Sequence, residues 1–212
     1  FEEEAYDAIT GELVFEIEQG KPIRLKRHEN QTHEVDIDGS LEELAWKEIP
    51  GVEQFIVSDP DTLEKPRYRT IVKAFYTDKG LYVAFDMEQP QETLVKRYSG
   101  RDNGWLNRDA VSITLDTSGE GRYGYWMNLA LGGNQTDGTV LAEREFSEDW
   151  DGAWLGETQV TESGWSAEFF LPWSQVAMPQ KDKERVINAY VSRKVAHLDE
   201  RWTIPALPRS QP

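Results

Sequence analysis

The stretch Tyr68-Arg69-Thr70-Ile71-Val72-Lys73-Ala74-Phe75-Tyr76-Thr77-Asp78-Lys79-Gly80-Leu81-Tyr82-Val83-Ala84-Phe85-Asp86 decides the fold class. Its first half alternates apolar and polar residues, the period of a half-buried strand. Asp78-Lys79-Gly80 is a turn signal, rich in residue types that tolerate φ > 0. An apolar run resumes at Leu81, so the stretch reads as a β-hairpin. Downstream, Val111–Asp116 alternates and turns at Thr117-Ser118-Gly119-Glu120-Gly121. Tyr123–Leu131 breaks at Gly132-Gly133-Asn134. Trp154–Val160 turns at Glu162-Ser163-Gly164, and Trp165–Leu171 is stopped by Pro172. Val186–Ser192 is a late strand. Upstream, Leu13–Ile17 and Val35–Ile37 are short strand candidates. Ser40–Lys47 predicts one or two helical turns, with Ser40 as N-cap and Glu43 three residues on. Short strands with turns every 8–12 residues, and no internal repeat, predict an all-β antiparallel β-sandwich or a barrel.

Composition narrows the function. A chain of 212 residues is long enough for one domain or two small ones. It has no Cys, which excludes disulfides, zinc–thiolate sites and a Cys nucleophile. With 23 Lys+Arg against 39 Asp+Glu the net charge is −16, which repels nucleic acid and anionic lipid. Neutral ligands, cations and proteins are left as partners. No apolar run reaches the length of a membrane-spanning helix. The opening Phe1-Glu2-Glu3-Glu4 reads as a mature or trimmed start, and Pro205–Pro212 as a linker. The chain carries eight Trp, a heavy load where aliphatic residues would fill a core.

Seven landmarks then fall in a definite order. They are Asp36-Ile37-Asp38-Gly39-Ser40-Leu41-Glu42-Glu43-Leu44-Ala45-Trp46; the hairpin ending Leu81-Tyr82-Val83-Ala84-Phe85; and Arg101-Asp102 followed by Asp109-Ala110-Val111-Ser112-Ile113-Thr114-Leu115-Asp116. Next come Asn128 with Gly132-Gly133, Asp137-Gly138, Trp150-Asp151-Gly152-Ala153-Trp154, and Gly164-Trp165-Ser166-Ala167-Glu168-Phe169-Phe170-Leu171-Pro172-Trp173. Over residues 35–205 this order resembles the family 9-like carbohydrate-binding modules. It is most similar to the copy that precedes an outer-membrane β-barrel in Gram-negative bacteria. The resemblance implies a carbohydrate-binding-module-like or jelly-roll-like sandwich at 33–206, an amino-terminal extension at 1–32 and a linker remnant at 207–212. It also implies an exported protein, periplasmic or associated with the outer membrane, with the barrel as a carboxyl-terminal partner.

Sugar binding needs a flat apolar face for the C–H side of a pyranose and polar groups for its hydroxyls; Trp supplies the face. In sugar-binding members of the family two Trp side chains sandwich a terminal sugar. The resemblance puts Trp105 and Trp202 in those roles. Ser112 stands where the binding form has Glu, and Asp199-Glu200 occupies the stretch where that form has Asn-Pro. Arg101, Asp109, Asn128 and Asp199 are the candidates for hydroxyl contacts. Trp126 alternates with Tyr125 and Met127, which leaves its face open. Trp46, Trp150, Trp154, Trp165 and Trp173 read as packing residues.

Loop carboxylates Asp102, Asp149 and Asp151, near Asn103 and Asp109, offer hard oxygens of the kind calcium takes. The resemblance implies a structural calcium site there; a solvated acidic surface is the alternative. No catalytic motif is present. Glu168 lacks a second acid at a telling spacing, and His28, His33 and His197 are far apart. The expectation is a noncatalytic carbohydrate-binding domain. A protein-docking or gating domain without a sugar site is the first alternative. The second is a haem b-binding sandwich, as in some relatives, with Met127 and Lys194 in the regions of the axial ligands.

Overall fold

The hairpin forms as read. Thr70–Tyr76 (β5) and Gly80–Glu88 (β6) pair antiparallel from Thr70↔Met87 to Tyr76↔Leu81. The turn uses no positive φ among its residues. Thr77 N–H donates to the Gly80 carbonyl at 2.9 Å. Gly80 serves close approach instead, because a Cβ there would lie 2.3 Å from the Leu171 carbonyl oxygen. The structure, a computed structural model, describes residues 35–104, 106–141, 145–178 and 185–205, with the strand backbone at 13–16, 23–24 and 26–27.

Around the hairpin a smaller sheet grows from Leu155–Val160 (β11), Gly164–Pro172 (β12) and Lys26–Arg27 (β3), in the order β11-β12-β6-β5-β3. The larger sheet holds Leu13–Glu16 (β1), Ile23–Arg24 (β2), Ile56–Asp59 (β4), Ala110–Asp116 (β7), Tyr123–Ala130 (β8), Gln135–Leu141 (β9), Glu145–Ser147 (β10), Arg185–Val195 (β13) and Glu200–Ile204 (β14). Its order is β10-β9-β8-β7-β13-β1-β2, and β14 also pairs with β13 and with β4. The first part of β13 takes β1, and its last five residues take β14. Val35–Ile37 is not a strand, whereas β4 and β14 are strands that the sequence reading did not separate out.

Every strand pairing is antiparallel except β1 with β13 and β3 with β5. Both exceptions involve strands that precede residue 33. The backbone at 13–16 pairs into the larger sheet and that at 26–27 into the smaller one.

The two sheets bury Val83, Phe85, Trp165 and Phe169 from one side against Ile113, Met127, Ile187, Val191 and Trp202 from the other. Trp154 stacks on Phe169 at 5.4 Å, and Trp173 donates its indole N–H to the Thr77 carbonyl. Trp46, Trp154, Trp165 and Trp173 are therefore buried packing residues. Trp150 is half-buried against the same core.

The outer face of the smaller sheet is covered. Leu44–Glu48 (α1) and the segment before it bury Ala45, Trp46 and Ile49 on Phe75 and Ala84. The helix starts later than expected, with Glu43 at its N-cap and no side-chain cap; Ser40 instead gives its N–H to Asp38 Oδ1. The cover is fastened by Glu168, which is fully buried. Its Oε2 accepts the N–H groups of Asp38 (3.0 Å) and Gly39 (2.7 Å), and its Oε1 accepts the Trp46 indole N–H (2.6 Å). Gly39 sits at φ +86°, and a Cβ there would meet the Thr158 backbone at 2.6 Å.

Burial raises the Glu168 carboxyl from 4.5 to about 7, with the three donors opposing the rise. The folded state thus holds this proton more tightly than the unfolded state. The stability that Glu168 contributes falls as pH rises from about 4.5 to about 7. Urea unfolding from pH 4.5 to 7.5 will show that slope in the native chain and not in Glu168→Gln. At pH 5 the variant loses about 1–3 kcal/mol, because its amide nitrogen cannot accept the hydrogen bond that a carboxyl oxygen takes from one of the three donors.

Candidate binding site

The larger sheet presents the other outer face. Strand alternation sends Met127 and Leu129 of β8 into the core and Trp126, Asn128 and Ala130 outward. Registers on the neighbouring strands arrange the outward residues in three rows. The middle row is Thr136, Asn128, Ser112, Ser192 and Thr203, each the cross-strand partner of the next. On one side runs Gly138, Trp126, Thr114 and Tyr190, and on the other Ala130, Ala110, Lys194 and Arg201.

Hydroxyls and one amide dominate the middle row. Ser112 and Ser192 share a hydrogen bond at 2.6 Å, and Arg201 donates to Ser192 Oγ at 3.1 Å. The Asn128 amide is half-buried and has no hydrogen-bond partner among the described residues. Trp126, two residues earlier, is half-buried beside it. Its Nε1 is shielded from solvent, without a partner among the described residues, over Gly138, where a Cβ would lie only 2.8 Å away. The accessible part of the indole is therefore hydrocarbon. Phe146, 61% exposed, meets the Trp126 ring edge-on at 6.1 Å. Thr136, Ser192 and Thr203 of the middle row are buried, so the groups left to a ligand are the Trp126 plane, the Asn128 amide and half-buried Ser112; an apolar plane next to such an amide is what a pyranose requires.

One loop borders this face. Arg108 donates to the carbonyls of Arg97 and Asn103 and to Ser99 Oγ. Gly104 then lies against the Thr136 methyl, 3.8 Å from its own Cβ position. The loop is moored at Arg101, which bridges Asp137 (3.0 Å), Asp151 (2.7 Å), Gln135 Oε1 (2.7 Å) and the Gly152 carbonyl (3.0 Å). Asp137 is buried and also accepts the Gly152 N–H and the Trp154 indole N–H. Burial raises its carboxyl, against those bonds and the Arg101 charge.

The structure separates the sequence candidates. Trp105 lies outside the described residues. Trp202 has 0% exposure. It sits on β14 between Tyr68 (5.9 Å) and the Arg193 guanidinium (5.0 Å), and its indole N–H goes to Glu200. It has no face for a sugar, because alternation along Arg201-Trp202-Thr203-Ile204 turns Trp202 and Ile204 into the core. Arg101 spends its donors on the mooring.

Asp109 is fully buried and ties three segments, accepting from Gln89 Nε2, Val95 N–H and Ala196 N–H. Asp199, at φ +53°, is paired with Lys194. Of the described candidates, Asn128 and Trp126 are brought together on the open face. Ser112, Thr114, Tyr190 and Arg201 share that face, with Ser192 buried among them; they were missed because the pairing register of distant strands is not written in local periodicity. A separate hollow of about 330 Å³, lined by Thr117, Ser118, Tyr123, Tyr125, Ala177 and Met178, holds none of the candidates.

The expected calcium ligands do not fit a metal. Asp102 and Asp151 turn to Arg101, Asp149 bonds Ser147, and no three such groups gather among the described residues. Haem does not fit its expected ligands either. Met127 faces the core, and Lys194 shares the opposite face with Ala130, three residues further along β8. Among the described residues no helix is long and apolar enough to cross a membrane.

The class this architecture defines is a two-sheet, largely antiparallel β-sandwich, the fold that carbohydrate-binding modules also have. It is similar to a family 9 carbohydrate-binding module from Caldicellulosiruptor kristjanssonii in complex with cellotriose, at 15% identity over 84% of this chain and 83% of that one, with a TM-score of 0.56. The glucose complex of a family 9 module from the same organism gives 14%, 84% of each chain and 0.57. A protein from Bacteroides uniformis, proposed to bind carbohydrate, gives 11%, 95% and 94%, and 0.64. At these identities the likeness shows the fold. No family model and no curated protein matches the sequence.

Trp202→Ala will cost about 3–5 kcal/mol in urea unfolding, as removal of a large buried aromatic does. An exposed stacking residue at that position would cost far less.

Proposed function

We propose that this chain is a noncatalytic carbohydrate-binding domain of an exported envelope protein, and that it binds sugar on the outer face of the larger sheet. The single observation that carries the reading is the pairing of the hydrocarbon side of Trp126 with the unpartnered Asn128 amide on the one outer face not covered by α1. Stacking on Trp126 supplies apolar contact to the ring C–H groups, and Asn128 takes ring hydroxyls as both donor and acceptor. The middle rows of the face carry no charged side chain until Lys194 and Arg201, which suits a neutral ligand in a chain of net charge −16. The similar solved modules hold glucose and cellotriose. Export, and an outer-membrane barrel as carboxyl-terminal partner, are supported by the order of the sequence landmarks.

Intrinsic Trp fluorescence titrated with mono- and oligosaccharides tests this. The native chain will give a saturable change, and Trp126→Ala and Asn128→Ala will each weaken binding about tenfold or more while keeping the native unfolding midpoint within a few degrees. A response that survives in Trp126→Ala and vanishes in Trp105→Ala would move the site to the Gly104 loop. Silence across neutral and acidic sugars would leave the docking reading in its place.

A further inference from the structure

We infer that Asn103-Gly104 is a self-modifying site, where the Gly104 nitrogen cyclises onto the Asn103 side chain and Arg108 promotes the reaction and pairs with its product. Asn103 is the one Asn in the chain that Gly follows. Gly has no Cβ to obstruct the approach of its nitrogen to the preceding side chain. Both residues are exposed. Neither the Asn103 amide nor the Gly104 N–H has a hydrogen-bond partner among the described residues. Electrophile and nucleophile are thus adjacent and unengaged. Arg108 supplies the rest. It is 3% exposed, and no carboxylate pairs with it among the described residues. Its Nη2 donates to the Asn103 carbonyl oxygen at 2.8 Å, while Nη1 is fixed by the Arg97 carbonyl and Ser99 Oγ. The Asn103 carbonyl shares a peptide group with the Gly104 nitrogen. When hydroxide takes the Gly104 amide proton, negative charge spreads onto that same oxygen, against a guanidinium already in place. A fixed, charged donor at an oxygen that gains charge lowers the barrier to such a step.

The steps balance with water alone. The Gly104 nitrogen bonds to Asn103 Cγ, the bond from Cγ to the side-chain nitrogen breaks, and that nitrogen leaves as ammonia with a proton from water. Water then opens the cyclic imide. Opening at the former main-chain carbonyl makes isoaspartate, whose new carboxylate carries the oxygen that Arg108 already holds. A buried cation without a carboxylate partner thereby acquires one. The loop beside the candidate face gains a methylene in its main chain. None of this depends on what the face binds.

Ageing the purified chain in buffer tests this. Mass spectrometry of the tryptic peptide Asp102–Arg108 will show Asn103 converted and Asn107 intact, with isoaspartate the main product. Conversion will be faster in mildly alkaline than in mildly acidic buffer. The folded chain will convert severalfold faster than a synthetic peptide of residues 98–110, which contains Arg108 without holding it. Arg108→Met will bring the rate in the full chain down to that of the peptide or below. Where that variant does not fold, the native chain against the peptide decides. A folded chain no faster than the peptide, a folded variant as fast as the native chain, or aspartate as the main product overturns the role of Arg108. Asn103 left intact while the peptide converts overturns the site.

Discussion

The buried carboxylate of Glu168 decides which side of this sandwich can act. Two backbone N–H groups and an indole N–H converge on it from residues 38, 39 and 46. That convergence folds the segment before α1 onto the smaller sheet, where Trp46 and Ile49 close over Phe75 and Ala84. A sandwich has two outer faces, and an antiparallel sheet tolerates solvent on one of them. With one face spent on Glu168 and its cover, ligand chemistry falls to the other. The side chains of β7, β8 and β13 agree with that division, since their outward positions include Ser112, Thr114, Asn128, Tyr190 and Ser192 while the inward ones, Arg193 excepted, are aliphatic or aromatic.

A second buried charge organises the end of the molecule. Arg193 donates to Arg69 O, Thr70 Oγ1, Glu88 O and Gln89 Oε1, and its guanidinium lies over Trp202. Gln89 in turn donates to Asp109. Burial lowers the Arg193 guanidinium to about 9, which still leaves it charged at neutral pH. An isolated charge in such a place is costly; here four oxygen acceptors and the nearby Asp109 carboxylate answer it. The arrangement converts Trp202 from a potential ligand platform into part of the hydrophobic core.

Much of the fold was legible because it depends on local signals. The hairpin at 70–88, the strands at 110–116 and 164–172 and the packing Trp landmarks all follow from period-2 alternation and turn chemistry. Trp126 and Asn128 share a face by the same rule. The rows that make them a site were not legible, since they depend on registers between strands far apart in sequence. Trp202 was misplaced for a different reason. The sequence of β14 does alternate, but its four-residue turn from β13 at Ala196–Asp199 is marked by no Gly or Pro, so the strand went unread. Arg193 sits among apolar residues in the core with no local sequence cue, and Asp109 and Arg101 looked like ligand groups because buried mooring residues and sugar-binding residues use the same chemistry.

The parallel pairing of β1 with β13 has a consequence for how the chain reaches this structure. Leu13 aligns with Arg185, so β1 joins the rest of the larger sheet only once one of the last strands is made. β13 is also the central strand to which β7 and β14 are joined. A ribosome delivering the chain from its amino terminus therefore releases β7, β8 and β9 before β13, the strand that pairs with the edge of β7. Contacts of such long sequence separation slow folding, and exposed strand edges invite association. The sheet that carries the candidate sugar face is thus the last part of the molecule to become complete.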